Sequence, residues 1–250
     1  MTITFYDISN NVPGQTWSSN TWKIRYALNY KGLAFKTEWV ALPDIEAHCK
    51  KLGIKPTGKA AWAPESDYYT LPAIHDPSTG TYISDSLLIA KYLDETYPET
   101  PRIFPNKAEV GLQLAFVDAF VACVAPAPAL AFTVAMTRID RRSEEYIRRT
   151  REKAFGATIE EMTPTGEKAI QEWEKLKKGL DKVAAWYAET DDKGPYILGD
   201  VVSWADFVVG GQIMALEVFW GGNSEEWRRI TAFNDGRWGA LIESLAKYAS

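Results

Sequence analysis

The sequence contains few of the residues on which common catalytic centres depend. Its 250 residues include only two histidines, His48 and His75, and two cysteines, Cys49 and Cys123. Two cysteines are too few for a disulfide framework. Neither histidine stands at metal-ligand spacing from a cysteine or from a pair of carboxylates. The sequence therefore predicts no metal site and argues against a serine–histidine–aspartate hydrolase.

Motifs of other enzyme classes and an excess of basic charge are missing as well. The chain has no G-x-S-x-G, no G-x-x-x-x-G-K-[ST], no G-x-G-x-x-G and no H-E-x-x-H. Its 28 Lys and Arg are outnumbered by 33 Asp and Glu, for a net charge of -5. The arginines of residues 138–151 are interleaved with acidic residues, which indicates a solvated helix face. No nucleic-acid partner is expected, because such a surface needs clustered basic charge.

No segment has the pattern of a signal peptide or a clear membrane span. Residues 1–8 run directly into a strand pattern, without a basic region and an apolar run. Residues 114–136 are apolar and long enough for a span, but Asp118 lies among them and Pro126 and Pro128 interrupt their middle. We expect a buried central helix there, no membrane partner and a cytoplasmic location.

The first hundred residues alternate strand and helix patterns. The predicted strands are residues 3–8, 35–42, 71–74 and 81–84, and the predicted helices are residues 22–30, 44–54 and 85–97. Residues 76–80 are a strong turn signal and make the last two strands a hairpin. Residues 55–69 contain Pro56, Gly58 and Pro64 and are expected to form a long loop. This order predicts a sheet with helices packed on it.

Helical patterns replace strand patterns after a proline-rich linker at residues 99–106. One long helix is predicted by apolar residues at helical spacing: Ile170, Trp173, Leu180, Val183 and Tyr187. Another is predicted to begin at a capping box formed by Ser203 and Asp206. The sequence thus predicts two domains, an α/β domain at residues 1–98 and an all-helical domain at residues 107–250.

The stretch from Trp17 to Trp22 holds hydroxyl and amide side chains at the start of the first predicted helix. They can simply cap the helix. The free N–H groups and the macrodipole of a helix start also favour an anion. A hydrogen bond to a thiolate there, worth about 1.5–3 kcal/mol, would lower a thiol pKa by roughly one to two units. The nucleophile would then be abundant at neutral pH.

Two further stretches of the α/β domain have the residue types of a binding site. Pro72 opens a strand, where a bend would turn the backbone groups of Leu71 outward to pair with a peptide ligand. An edge proline without a ligand fits equally well. Asp85 and Ser86 open a helix, where they can cap it or hold the α-carboxylate and α-ammonium of a ligand.

In this order and within one domain, the three stretches resemble the glutathione-binding domain of the glutathione transferase superfamily. The helical domain with its capping box also resembles the second domain of that family. Residues 22–32, 85–86 and 91–98 resemble the etherase-related, β-aryl-etherase-like class of bacteria and fungi. The resemblance implies a thioredoxin-like α/β N-terminal domain, an all-α C-terminal domain, glutathione as co-substrate and a homodimer.

The resemblance also implies roles for individual residues. A serine before the first helix serves the glutathione thiolate in that class, which implies Ser18 as the catalytic residue and Asn20 as the neighbouring candidate. Ser19 stands where a proline often follows, so two hydroxyls compete for the role. The residues that would bind glutathione are Leu71, Pro72, Asp85 and Ser86. Asp85 replaces the glutamate that is more common in the family. The segment of residues 55–69 is longer than in the compact members of the family.

The implied activity is attack of the glutathione thiol on apolar, aromatic electrophiles, by conjugation or by thiolysis of an aryl ether, in detoxification. Redox thiol exchange is disfavoured because no cysteine lies near Ser18. The candidate substrate pocket is Trp17, Trp22, Phe116 and Phe120, although core packing also explains the two phenylalanines. Two alternatives stay open: a non-catalytic, ligandin-type binding protein for aromatic compounds, and a scaffolding relative.

Overall fold

Residues 1–12, 16–190 and 193–249 are described by the computed structural model, and they form an α/β part followed by a helical part. The strands of these residues are β1 (Ile3–Ile8), β2 (Phe35–Val40), β3 (Gly58–Ala60), β4 (Ala63–Tyr68), β5 (Ala73–Asp76) and β6 (Thr81–Ser84). The helices of the first part are α1 (Ser19–Tyr30), α2 (Ile45–Lys51) and α3 (Ser86–Thr96). The predicted thioredoxin-like α/β domain followed by helices is confirmed.

The central sheet has four strands in the order β2-β1-β5-β6. β1 is parallel to β2 and antiparallel to β5, which pairs with β6 in the predicted hairpin. All six residues of β1 are buried, because helices cover both faces of the sheet. Ile3 and Phe5 belong to a core shared with α1 and α3, whereas Tyr6 and Ile8 belong to a core shared with α2. The two-residue period of a strand assigns its side chains to these two cores alternately.

The prediction of a loop at residues 55–69 is wrong, because part of this segment forms the separate hairpin β3–β4. Its strands pair Gly58 with Tyr68 and Lys59 with Asp67. The sequence pattern misleads here because the hairpin is a short two-stranded sheet with mostly exposed side chains, so alternation of apolar residues is absent. Trp62, at its tip, packs edge-on against Tyr68 with ring centroids 5.0 Å apart.

The helical part begins with two helices where one central helix is expected. Its helices in the described residues are α4 (Val110–Cys123), α5 (Ala127–Met136), α6 (Arg141–Phe155), α7 (Ile159–Met162), α8 (Gly166–Ala188), α9 (Trp204–Trp220), α10 (Glu225–Ala232) and α11 (Arg237–Leu245). The chain bends by 70° between α4 and α5, just before Ala127 and near the two prolines. In the described residues no single helix is long and apolar enough to cross a membrane; α4 and α5 pass that test only as a bent pair.

The long helices α8 and α9 form the centre of the helical part. Four of the five apolar residues that predicted α8 are buried, and Ile170 is the exception at 58% exposure. The predicted capping box is confirmed at the start of α9, where the Asp206 carboxylate accepts the Ser203 N–H at 2.9 Å. The same carboxylate accepts the Tyr187 hydroxyl at 2.9 Å and thereby fastens α8 to α9.

A buried ion pair attaches the linker to the α/β part. The Lys31 ammonium lies 2.8 Å from the Asp94 carboxylate and 3.0 Å from the Pro101 carbonyl oxygen. Asp94 also accepts the backbone N–H groups of Ile103 and Phe104, at 3.0 and 2.9 Å. Breaking a buried pair by removing one partner is strongly destabilising, so the path of the chain between the two parts is firmly held.

The two parts meet where α1 crosses α9. The rings of Tyr26 and Phe207 stack there, with centroids 5.8 Å apart. A Cβ atom added at Gly211 would lie 2.8 Å from the Ser19 carbonyl oxygen and 3.1 Å from the Trp22 Cβ. Only glycine allows α9 to approach the first turn of α1 this closely.

We expect Gly211→Ala to destabilise the protein by about 1–3 kcal/mol, because the added methyl group must push the backbone of α1 away. The matched control is Gly111→Ala on α4, where nothing lies within 4 Å of the added atom. That variant should gain about 0.5–1 kcal/mol from the higher helix propensity of alanine. Urea unfolding of both variants checks this, and equal stability of the two would contradict it.

Candidate functional site

A cavity of about 290 Å³ opens between the α/β part and the helical part. The α/β part contributes the start of α1 and the end of β4 to its lining. The helical part contributes side chains of α5, α6 and α9. Residues from the two parts that line it include Trp17, Ser18, Ser19, Asn20, Tyr68, Leu71, Tyr146, Arg151, Gln212 and Phe219. The cavity therefore places a helix N-terminus opposite a wall of aromatic side chains and one basic side chain, Arg151.

The three polar candidates at the start of α1 all line this cavity. Ser18 is the N-cap of α1, and its side-chain oxygen accepts the Asn20 backbone N–H at 3.3 Å. The oxygen acts as an acceptor in this bond, and the hydroxyl hydrogen finds no acceptor among the described residues. Ser18 can thus donate to an anion that also benefits from the helix N-terminus. Ser19 and Asn20 stand beside it, so the alternatives for this role stay open.

Lys23 is a neighbour of this site that the sequence analysis missed, although it does not line the cavity. Its ammonium donates to the Asn20 Oδ1 atom at 2.7 Å. This bond identifies the amide oxygen, so the Asn20 amide nitrogen must point elsewhere. Burial lowers the pKa of the Lys23 ammonium to about 8, and the Asp85 carboxylate opposes part of that shift. A positive charge therefore lies between Asn20 and the start of α3.

The two predicted glutathione-binding stretches flank the start of α1. The Leu71–Pro72 peptide bond is cis, and Leu71 lines the cavity. Asp85 caps α3, and its carboxylate accepts the backbone N–H groups of Leu87 and Leu88 at 2.9 and 3.0 Å. Its φ of 76° lies in a region that costs a non-glycine residue about 1–3 kcal/mol. Such conformations occur preferentially where function requires them.

The four aromatic candidates separate into one cavity residue and three core residues. Trp17 lines the cavity and packs edge-on against Phe219 at 5.6 Å. Trp22 points into the core and packs on Tyr26 at 5.2 Å. Phe116 and Phe120 lie between α4 and α8, where Phe116 contacts Trp186 at 5.5 Å. The spacing of Phe116 and Phe120 on one face of α4 is therefore explained by core packing.

The wall opposite Ser18 comes from residues that sequence reasoning missed. The arginines of residues 138–151 were expected on a solvated helix face, and Arg141 and Arg142 are exposed there. Arg151, however, lines the cavity together with Tyr146 and Ile147. The signal was present in the spacing, because Arg151 follows the buried Ile147 by four residues, one helical turn.

Comparison with known proteins decides the family. A family model described as the N-terminal domain of glutathione S-transferase matches residues 17–96, and one described as its C-terminal domain matches residues 111–248. The chain belongs to the glutathione S-transferase family. The superfamily predicted from the three stretches is thereby confirmed, and the two matched regions of the chain correspond to the α/β part and the helical part.

Relatives from this family match the chain along nearly its whole length. A glutathione S-transferase-like protein of Aspergillus flavus is 31% identical over 98% of this chain and 90% of its own. A glutathione S-transferase of Ceriporiopsis subvermispora, solved in complex with glutathione, is 40% identical with a TM-score of 0.93, covering 100% of this chain and 98% of its own. A glutathione transferase of Phanerochaete chrysosporium is 39% identical with a TM-score of 0.91, covering 100% and 99%.

The lowered pKa of Lys23 predicts a contribution to stability that grows as the pH rises from about 8 towards 10.5, the ordinary lysine value. In that interval the unfolded chain binds a proton at this residue and the folded chain does not, so this residue's contribution to the free energy of unfolding increases with pH. Cys49, Tyr6 and Tyr26, whose pKa values are raised by burial, act in the opposite direction in every variant. We therefore expect a rise of about 1–3 kcal/mol in the Lys23 contribution, which is the difference between the wild type and Lys23→Met. Urea unfolding of the wild type and Lys23→Met at pH 7.5 and 10 measures it.

Lys23→Met should lack this rise, whereas Lys36→Met, at an exposed position on β2, should keep the wild-type dependence. The same pH dependence in Lys23→Met and the wild type would contradict the assignment.

Proposed function

We propose that this protein is a glutathione-dependent transferase in which Ser18 stabilises the glutathione thiolate. The observation that carries the proposal is the N-cap position of Ser18, whose hydroxyl hydrogen is uncommitted among the described residues and borders the cavity. Asn20 is the second candidate for the same role, because its amide nitrogen is oriented away from Lys23. A hydrogen bond to the thiolate and the helix N-terminus would both favour the ionised thiol.

Glutathione would lie along the edge formed by the cis-proline turn and the start of α3. The backbone of Leu71, next to Pro72, would pair with the cysteinyl part of the peptide. Asp85 and Ser86 would hold its α-ammonium and α-carboxylate at the helix start. The relative from Ceriporiopsis subvermispora, solved with glutathione, supports this choice of co-substrate.

The electrophile would occupy the aromatic side of the cavity, next to Trp17 and Phe219. The thiolate sulfur would form a bond to an electrophilic carbon, and the leaving group would depart with its electron pair. Both conjugation of aromatic electrophiles and thiolysis of an aryl ether follow this scheme. The resemblance to the etherase-related class supports thiolysis of an aryl ether. A cytoplasmic detoxification role fits the free state of both cysteines.

A ligandin-type binding protein is the second candidate. The aromatic rings of Trp17, Tyr68, Tyr146 and Phe219 border one cavity and would retain a flat apolar ligand without turnover. Glutathione consumption with 1-chloro-2,4-dinitrobenzene distinguishes the two functions. Displacement of a bound fluorescent dye without any glutathione consumption would favour the binding protein.

The proposal for oligomeric state is a homodimer that uses α4. Asp118 is the only charged residue of this helix, and Leu112 and Val121 are 72% and 55% exposed. A helix that is apolar all round is normally covered on all sides. A second copy of the chain would cover the exposed face of α4, since the opposite face packs on α8 and α9.

The wild-type protein should therefore have twice the chain mass of 28.1 kDa by light scattering at micromolar concentration. The double variant Leu112→Glu/Ala119→Glu changes one exposed and one half-buried position, seven residues apart on one face of α4. It should have the mass of one chain, because carboxylates at the interface resist burial. Phe155→Glu, which changes an apolar residue that is 64% exposed on α6, is the control and should remain dimeric. A monomeric wild type would remove the proposal.

Ser18→Ala should raise the pKa of bound glutathione by about one to two units through the loss of a hydrogen bond to a charged group. Turnover at neutral pH should fall by roughly ten- to a hundredfold and partly return at high pH, where the thiol ionises unaided. Glutathione affinity should survive, because Leu71, Asp85 and Ser86 hold the peptide. Steady-state kinetics across pH and ultraviolet titration of the bound thiolate measure both effects.

Ser19→Ala and Asn20→Ala are the controls for neighbouring groups. Ser19→Ala should change turnover much less than Ser18→Ala, and the double variant Ser18→Ala/Asn20→Ala tests whether the two groups act as a unit. An unchanged rate and pH profile in Ser18→Ala would reject Ser18, and Asn20 would then be the first alternative.

A further inference from the structure

The cavity has one charged side chain among the described residues that line it, and that side chain is basic. Arg151 lies on the wall formed by α6, and no aspartate or glutamate appears in the described lining. The whole chain carries a net charge of -5, so this positive site is contrary to the overall charge. Fields are strong inside a cleft with low-dielectric walls. The cavity is therefore positive on the side that faces the proposed electrophile.

Arg151 is held in place by neutral groups. One guanidinium nitrogen donates to the Tyr68 hydroxyl at 3.2 Å, and another donates to the Thr150 hydroxyl at 3.2 Å. The guanidinium also lies over the ring of Trp62, 5.1 Å from its centroid. These contacts orient the side chain between the β3–β4 hairpin and α6. Because a guanidinium has five donor hydrogens, these two hydrogen bonds leave donor capacity for a ligand.

The contrast with Arg148, one turn earlier on the same helix, is informative. Arg148 lies 2.9 Å from Glu144 and 2.9 Å from Glu160, so its charge is compensated. Arg151 has no carboxylate partner in the parts of the chain that the structure describes. An arginine that is partly buried, oriented and without a counter-charge is suited to bind a carboxylate by two parallel hydrogen bonds.

We propose that Arg151 selects electrophiles that carry a carboxylate on the aromatic ring. The proposal rests on the proposed transferase function and narrows its substrate class from apolar aromatic compounds to anionic ones. The ring of the substrate packs against Tyr146 and Phe219, and its carboxylate pairs with Arg151 across the cavity from Ser18. Tyr68 acts as a positioning residue, because its hydroxyl accepts a hydrogen bond from the guanidinium.

A binding measurement tests the proposal without requiring turnover. The probes are 3-nitrobenzoate and 3-nitrobenzamide, which share a ring and a nitro group but differ in charge. Quenching of tryptophan fluorescence, in the presence of saturating glutathione, gives their dissociation constants. We expect the wild type to bind the benzoate about tenfold more tightly or better, and Arg151→Met to lose this preference. The amide should bind both proteins within about threefold.

Lys153→Met is the matched control, since it removes one positive charge from an exposed position on the same helix. It should keep the wild-type preference. Arg151→Lys should retain part of the preference, because a lysine keeps the charge but loses the planar pair of donors. Equal binding of the two probes by the wild type, or an equal loss of both in Arg151→Met, would overturn the proposal.

Turnover measurements separate this proposal from the proposed function. The electrophiles 4-chloro-3-nitrobenzoate and 4-chloro-3-nitrobenzamide lose chloride when the glutathione sulfur attacks, and each enzymatic rate is divided by its uncatalysed rate. Arg151→Met should lower kcat/KM for the benzoate by about ten- to a hundredfold and leave the amide nearly unchanged. No turnover of these compounds or of 1-chloro-2,4-dinitrobenzene by the wild type would reject the transferase function, whereas the binding measurement still decides the role of Arg151.

The glycine carboxylate of glutathione is the competing anion. If Arg151 binds that group, Arg151→Met will raise the KM for glutathione by about tenfold and will affect the two electrophiles equally. That outcome would overturn the selection of anionic electrophiles.

Discussion

The close packing of α9 on the first turn of α1 is the constraint on which the candidate site depends. Gly211 permits it, because any larger residue would displace the Ser19 carbonyl oxygen. Ser18 and Asn20 stand on that turn, and Ala215 and Phe219, one and two turns further along α9, form the opposite side of the cavity. The distance between the proposed thiolate position and the aromatic wall is thus set by backbone packing, which is stiff compared with side-chain rotation.

Local patterns were enough to predict the main elements and the polar groups at the start of α1. Strand and helix periods, the turn at 76–80 and the capping box at Ser203 depend on neighbours within a few residues, and the structure confirms each of them. The family followed from three short stretches in order, and the family matches agree. The polar stretch at residues 17–22 and Asp85 could be named because side chains that cap helices have a strong local signature, whereas the family resemblance singled out Ser18 within that stretch.

The rest of the site depends on contacts between residues far apart in sequence. Arg151 donates a hydrogen bond to the Tyr68 hydroxyl, 83 positions away in the sequence, and no local pattern predicts that contact. Phe116 and Phe120 share a helix face, but the sequence does not indicate whether that face meets a cavity or α8. The β3–β4 hairpin was missed because its exposed strands lack apolar alternation. Its role in the site comes from Trp62 and Tyr68, which reach α6 only in the folded chain.

The ion pair of Lys31 and Asp94 bears on whether the two parts of this protein fold independently. Together with the bonds from Asp94 to Ile103 and Phe104, it ties the connecting segment to α1 and α3, and one hydrophobic core continues from β1 into α9 and α11. The two halves are consecutive along the chain, yet they share their interior. We therefore regard them as one cooperative folding unit. Both walls of the cavity are then lost together during denaturation.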